Sequence, residues 1–259
     1  MKRCFHNPVA FGLSLTGTVA LFAALTAHGA VEPTAELLDL AGRIEYGFYT
    51  QEARAIDTAR SRLDRLAGRG ALQDYYAGLA AYRAALLRAV DDGRGLGVEL
   101  TDCMDRGRSA AVDRDLAGEA WVLVAACAVL GARHEPSRSR FYQNRFAQAL
   151  GEAVAADSDN PRILIVRAWA LSHRPAHEEP ELRETARMRL EQAVQQFALW
   201  RTPFGYPDWG EAEALAHLGE IHLELGDARA ARDFVEQALL VAPDYRFALA
   251  LQKRVLSGR

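Results

Sequence analysis

Helical periodicity broken by short connections is the feature that most limits how this chain can fold. After residue 31, apolar side chains recur at helical spacing almost throughout, and no segment alternates apolar and polar residues as a half-buried strand would. The separators, such as GRG at 68–70 and SDNP at 158–161, are too short to link independent domains. Each helix must therefore pack against its neighbours in sequence, which predicts an all-α fold, either a bundle or an α-solenoid.

The same pattern sets the expected helix boundaries, with ends accurate to about 2 to 4 residues. The predicted helices are 34–48, 51–67, 72–91, 97–113, 117–131, 138–156, 161–172, 182–198, 210–225, 228–241 and 244–256.

Composition limits the classes of function. The chain has 259 residues, of which 50% are hydrophobic, so it can bury a sizeable core. Its formal net charge is only -3, and 25% of the residues are charged. Because no basic field exists to attract phosphate groups, we expect no binding to nucleic acid or to anionic lipid.

The first thirty residues differ from the rest of the chain. Lys2 and Arg3 precede an apolar run at 9–25, and the small residues of AHGA follow at 27–30. A basic start, an apolar centre and a small-residue end are typical of an export signal. The pattern predicts a signal peptide at 1–30, cleaved after Gly29 or Ala30.

If the signal is cleaved after export, we expect a periplasmic protein whose mature form is slightly acidic. Residues 1–30 contain no Asp or Glu, so loss of the two basic residues takes the formal net charge from -3 to -5. The alternative is an uncleaved anchor in the inner membrane, since the apolar run of 17 residues lies at the short limit for spanning a bilayer. Its interruptions by Gly, Ser and Thr favour cleavage, after which we expect no stable membrane insertion.

A repeat near the C-terminus points to a family. The stretch LAHLGEIHLELGDARAARDFVEQALLVAP resembles the tetratricopeptide repeat family, whose pattern places large apolar, small and Pro residues at fixed offsets. His222 departs from the pattern, where the family prefers Tyr. The matching residues are Leu215, Leu218, Gly219, Ala231, Val235, Ala238 and Pro243.

Weaker copies of the repeat precede this one. Ala186, Leu190 and Ala193 have the spacing of Ala231, Val235 and Ala238, and EAWVLVAACAVLG resembles the first helix of a further copy. The resemblance implies an α-solenoid of about five degenerate helix pairs over 31–259, with a C-terminal capping helix and the best-matched repeat at 210–245.

The resemblance also implies where a partner would bind. In this family the first helix of each pair lines a concave groove that binds extended peptides or helices of other proteins. By register, the residues expected to line the groove here are Arg162, Trp169, His173, Glu213, His217, Glu220 and Glu224.

Two classes of binding function follow from that groove. The first is an exported, non-catalytic scaffold or adaptor that binds another protein or peptide, with an envelope or transporter component as one candidate. The alternative is a solute- or small-molecule-binding accessory of a periplasmic transport system, and a closed pocket around Trp169 would favour it. Fold-level analogy supports both interpretations.

The histidines do not predict a metal site or an enzyme. His217 and His222 are five residues apart, about 140° around a helix, so they cannot hold one ion from one face. The nucleophile, phosphate-loop, nucleotide-glycine and paired-cysteine motifs are absent from the sequence. We therefore predict no catalytic residues, no resident metal and no cofactor.

Two cysteines form a candidate disulfide. Cys103 and Cys127 are equidistant from Asp115, in the turn between two predicted helices, so they should face each other if the helices are antiparallel. In an oxidising compartment they could form a disulfide that contributes about 3 kcal/mol. The alternative is two buried thiols in a helix seam.

Overall fold

Eleven α-helices make up most of the part of the chain that the structure describes. The structure is a computed structural model that describes residues 33–68, 70–91, 95–172 and 180–257. The helices are α1 (Ala35–Tyr49), α2 (Ala53–Leu63), α3 (Ala71–Asp91), α4 (Gly97–Ala110), α5 (Ala117–His134), α6 (Ser139–Ala156), α7 (Pro161–Leu171), α8 (Pro180–Leu199), α9 (Glu211–Glu224), α10 (Ala228–Val241) and α11 (Arg246–Ser257).

The expected all-α class is confirmed. Each predicted helix is present, with ends within four residues of the expected positions, and the described ranges contain no strand. The predicted export signal at 1–30 and the predicted groove residue His173 lie outside those ranges. Within them, no helix is long and apolar enough to cross a membrane.

Local sequence explains several helix ends. Thr34 begins α1, where its hydroxyl accepts a hydrogen bond from the backbone N–H of Leu37 at 3.2 Å. Asn160 begins α7 in the same way, and Pro161 occupies the first helical position, where a missing N–H has no cost. Between α9 and α10, Gly226 has φ 80° and Asp227 caps α10, as the sequence GD indicates.

Helices that follow one another in sequence pack as pairs. The pairs are α1 with α2, α3 with α4, α5 with α6, α7 with α8, and α9 with α10, and α11 packs against both α9 and α10. Five pairs and a terminal helix agree with the predicted organisation. Their assignment to the tetratricopeptide family and to a solenoid stays a prediction.

Small residues let the paired helices approach closely. A Cβ atom added to Gly219 in α9 would lie 2.6 Å from Cγ2 of Val235 in α10. In α4, the same addition to Gly107 would lie 2.6 Å from Cγ2 of Val124 in α5. Neither distance leaves room for a methyl group, so these glycines fix the separation of their helices.

A disulfide joins α4 to α5. Cys103 and Cys127 are fully buried and bonded, with their Cα atoms 6.5 Å apart. Of the two alternatives that the sequence left open, the structure has the disulfide.

The odd-numbered helices meet on a shared side, which we call the inner face. Neighbours such as α3 and α5 contact each other, and α1 reaches across to the C-terminal repeat. The ring centroids of Phe48 and Tyr245 are 6.0 Å apart, and the hydroxyl of Tyr49 donates to Glu213 at 3.1 Å. The inner face therefore brings together residues that are far apart in sequence.

Candidate functional site

The inner face has a buried centre and an accessible part. The buried centre consists of Arg83, Glu119, Arg162, Trp209 and Glu213, which are at most 7% exposed, and of Glu45 at its edge, with 23% of its side chain exposed. The accessible part consists of three partly exposed rings and the charged residues beside them.

Residues 200–210, between α8 and α9, cover the buried centre. Trp209 is 1% exposed, and its indole Nε1 donates to the hydroxyl of Tyr75 at 2.6 Å. Earlier in the segment, the backbone oxygen of Gly205 accepts a hydrogen bond from Tyr76 at 2.9 Å. Gly210 ends the segment with φ 111°, a conformation that favours glycine.

Arg83 forms the first ion-pair network of the buried centre. Its Nη2 lies 2.5 Å from Glu213 and 2.8 Å from Glu45, so one guanidinium binds carboxylates from α9 and α1. The guanidinium also lies 3.8 Å from the centroid of the Phe48 ring. Hydrogen bonds with Tyr49 and the backbone N–H of Gly210 complete the partners of Glu213.

The two carboxylates around Arg83 have opposite pKa shifts. Burial raises the pKa of Glu45 above its usual value, and Arg83 only partly offsets that effect. Burial acts in the same direction on Glu213, but attraction to Arg83 and the hydrogen bonds from Arg83 and backbone N–H groups outweigh it. The pKa of Glu213 is therefore lowered, because this carboxylate has the larger number of donors.

Arg162 forms the second network. Its Nη1 lies 2.9 Å from Glu119, which also accepts a hydrogen bond from Asn160 at 3.0 Å. Its Nη2 donates to the backbone oxygen of Pro207 at 3.0 Å. The arginine thus holds the segment 200–210 against α5 and α7.

These networks correct the predicted groove. Arg162 and Glu213 were expected to line it, but both side chains are buried beneath the segment 200–210 and bind partners within the chain. The sequence register placed them on the correct side of their helices. It did not account for the inter-helix segment that occupies this side.

The accessible part of the inner face is a row of three rings from three successive inner helices, which we call the ring row. Trp169 in α7, His217 in α9 and Phe247 in α11 are all partly exposed. The centroid of His217 lies 5.9 Å from that of Trp169 and 5.5 Å from that of Phe247. The ring row therefore forms a continuous aromatic surface with an imidazole at its centre.

Trp169 connects the ring row to the buried centre. Its indole stacks on that of Trp209, with centroids 6.3 Å apart and an interplanar angle of 17°. Its Nε1 is buried and has no hydrogen-bond partner among the described residues. A buried donor without a partner costs about 1 to 3 kcal/mol, so an acceptor that reached it would be favoured.

Charged residues border the ring row. Nδ1 of His217 lies 3.6 Å from Oε2 of Glu220, one turn further along α9. Glu224 pairs with Arg183 of α8. Burial acts to raise the pKa of Glu220, but His217, Arg254 and Arg183 outweigh it and lower the pKa. Glu220 therefore stays ionised beside the imidazole at neutral pH.

The predicted groove residues thus separate into two groups. Trp169, His217, Glu220 and Glu224 lie at or beside the accessible surface, whereas Arg162 and Glu213 are buried. His222 lies in the seam between α9 and α10, where it stacks on Phe234.

Sequence analysis missed three residues that shape the site. Phe247 would have been found by extending the repeat register into α11. Trp209 lies in a connecting segment, where helical periodicity gives no information. Arg83 lies on a helix whose other residues are largely apolar, and no local pattern indicates that its partners come from positions 45 and 213.

The arrangement provides a surface suited to binding. The ring row offers apolar surface, and the imidazole supplies one nitrogen ligand. No group of three His, Cys, Asp or Glu side chains that could hold a metal ion occurs in the described part of the chain. Fold and site together define an all-α protein of paired helices with an aromatic surface on its inner face.

Comparison with known proteins adds one relationship. No protein-family model matches the sequence, and no curated protein matches it. Among solved structures, the HusA haemophore from Porphyromonas gingivalis is similar, with a TM-score of 0.55 and 20% sequence identity. The similar region covers 74% of this chain and 96% of that chain. At this identity the likeness establishes a shared fold.

Proposed function

We propose that this chain is a non-catalytic binding protein that takes a flat, largely apolar ligand on the ring row, with haem as the first candidate. The observation that carries the proposal is the row itself, three partly exposed rings from α7, α9 and α11 in which the central His217 lies 5.9 Å from Trp169 and 5.5 Å from Phe247. Aromatic surface with a few polar groups is typical of small-molecule sites. The shared fold with a haemophore supports haem within that class.

The residues present fit a haem group. Trp169 and Phe247 offer apolar contact for the macrocycle, and His217 offers an imidazole nitrogen. Arg254 and Arg183 also lower the pKa of Glu220 from neighbouring helices, and Arg183 pairs with Glu224, so the edge of the ring row carries charges of both signs. When bound, haem would supply an iron centre for transport, and the chain would supply binding and shielding.

Titration tests this proposal. The mature chain is mixed with haemin and, separately, with iron-free protoporphyrin, and the Soret absorbance is followed against protein concentration. We expect saturable binding of both at one site. A double substitution of Trp169 and Phe247 by Ala should weaken both by about tenfold or more, since each buried ring contributes above 1.4 kcal/mol.

The control for that titration lies outside the inner face. Leu240 in α10 is 83% exposed, so Leu240→Ala should leave both affinities unchanged. Equal loss in the control and in the double variant, or no saturable binding by the wild-type chain, would count against the proposal.

A segment of another protein is the second candidate for the same surface. The resemblance of residues 210–245 to a tetratricopeptide repeat and the acidic edge at Glu220 and Glu224 favour it, since a basic residue of a partner could pair there. Because the segment 200–210 covers the buried centre, such a partner would contact only α7, α9 and α11. A photo-crosslinker at Trp169 in the native host would then give one dominant protein adduct that Glu220→Lys weakens, with a crosslinker at Leu240 as the matched control.

We also propose that the chain is an exported, tetratricopeptide-like protein of the periplasm. The predicted signal at 1–30 and the disulfide between α4 and α5 support this location, because disulfides persist in oxidising compartments. N-terminal sequencing of the protein from its host should begin at Ala30 or Val31. Retention of Met1 in a membrane fraction would favour the anchored alternative.

A further inference from the structure

His217, the central ring of the ring row, has one ring nitrogen beside a carboxylate and part of its side chain exposed. Nδ1 of His217 lies 3.6 Å from the carboxylate of Glu220, and 33% of the His217 side chain is exposed. A carboxylate beside one ring nitrogen fixes the orientation of an imidazole and raises the basicity of its other nitrogen. Nε2 is therefore the atom that His217 presents to a ligand.

We infer that Nε2 of His217 is an axial ligand to the iron of a bound haem, and that Glu220 is the positioning residue behind it. The inference rests on the proposed function and deepens it by naming the atom that contacts the metal. Iron porphyrins bind neutral imidazole nitrogen, and a carboxylate close to the other ring nitrogen helps to orient the imidazole.

The neighbouring rings support this assignment. Trp169 and Phe247 lie on either side of His217 and would contact the macrocycle next to the coordinated iron. Nε1 of Trp169, buried just beneath this surface, is a second polar group without a hydrogen-bond partner among the described residues. A ligand with a flat apolar ring system and polar substituents would contact the aromatic rings and pair with the polar nitrogens at the same time.

The other described histidines are not part of the ring row, although Nδ1 of His222 also lies near a carboxylate, that of Asp227, at 3.7 Å. His222 is stacked on Phe234 in the seam between α9 and α10, and its Nε2 is buried. His134 is the last residue of α5, and burial lowers its pKa. His222 therefore provides a matched control, because it belongs to the same helix but is turned away from the ring row.

The test compares iron-bound and iron-free ligand on variants of one residue. The mature chain without a histidine tag is titrated with haemin and with protoporphyrin, and the iron spin state is read by absorbance and electron paramagnetic resonance. In His217→Gly the signature of histidine ligation should disappear, and haemin affinity should fall by about tenfold or more beyond the fall in protoporphyrin affinity. His222→Ala should behave as the wild type.

Two additional measurements separate ligation from a structural effect. Added imidazole should restore the histidine signature in His217→Gly, because it can occupy the space of the missing side chain. Glu220→Gln should keep the signature and lower haemin affinity less than the loss of His217 does. Circular dichroism of each variant verifies that the helices are intact.

The outcomes of these experiments distinguish failure of the axial-ligand inference from failure of the proposed binding function. If both ligands bind and the haemin spectrum of His217→Gly equals that of the wild type, the axial assignment is wrong and the binding function stands. If neither ligand binds to a folded wild-type chain, the proposed function itself fails. If His217→Gly loses the histidine signature and added imidazole restores it, the result supports both the axial assignment and the binding function.

Discussion

Replacing Trp209 by Ala should destabilise the protein strongly, although the residue lies in a connecting segment. Its indole is 1% exposed, stacks on Trp169 and lies 5.5 Å from the guanidinium carbons of both Arg83 and Arg162. It also donates to Tyr75, whose buried hydroxyl would lose that partner. The substitution therefore removes core packing and a hydrogen bond together.

The expected magnitude follows from those contacts. Truncating a buried Trp to Ala costs about 3 to 5 kcal/mol, and we take about 4 kcal/mol here because the neighbouring ion pairs limit collapse of the cavity. Total stabilities are about 5 to 15 kcal/mol, so this is a large fraction. For a domain of this size, each kcal/mol lowers the melting temperature by about 2 to 4 °C, which gives about 8 to 16 °C.

Urea denaturation followed by far-ultraviolet circular dichroism measures the change. Phe204, in the same segment but 81% exposed, is the matched control, and Phe204→Ala should change stability by less than about 0.5 kcal/mol. A loss below about 1 kcal/mol for Trp209→Ala would refute the reasoning. The segment 200–210 would then be a loosely held cover, and the burial of Arg162 and Glu213 would not contribute to the core.

Three further predictions concern the seams and the buried charges. Replacing Cys103 and Cys127 by Ser should cost about 3 kcal/mol of unfolding free energy, with a matching fall in the urea midpoint. Gly219→Ala should lower the unfolding free energy by about 1 to 3 kcal/mol, because the new methyl group meets α10. Gly42→Ala, where nothing lies within 4 Å of the new methyl group, is the control and should be neutral or stabilising. Opposite results would contradict the close-packing argument. Because the folded-state pKa of Glu213 is lowered, its contribution to stability is present above the usual pKa and is lost as the pH falls through the folded value. As the pH falls from the usual pKa of 4.5 toward the lowered folded value, the stability of Glu213→Gln should therefore fall less than that of the wild type, and equal slopes would argue against this carboxylate as a source of acid sensitivity.

Much of the fold was predictable because it depends on local sequence. Helical periodicity, Gly and Pro punctuation, and capping residues such as Asn160 and Asp227 act within a few positions of the chain, so they set the helix boundaries. The small residue Gly219 indicated a close helix pair, and the spacing of Cys103 and Cys127 about a turn indicated a possible disulfide. Each of these features can be predicted from one helix and the helix next to it in sequence.

The candidate site depended on contacts that local sequence does not encode. The register of α9 placed His217 and Glu220 on the inner face, but only the tertiary structure brings Phe247 and Trp169 beside them. The sequence by itself determined which residues form helices and which helices pair, because those interactions are short in range. The tertiary structure decided which inner residues are buried, because Glu45, Arg83 and Glu213 come from three distant helices.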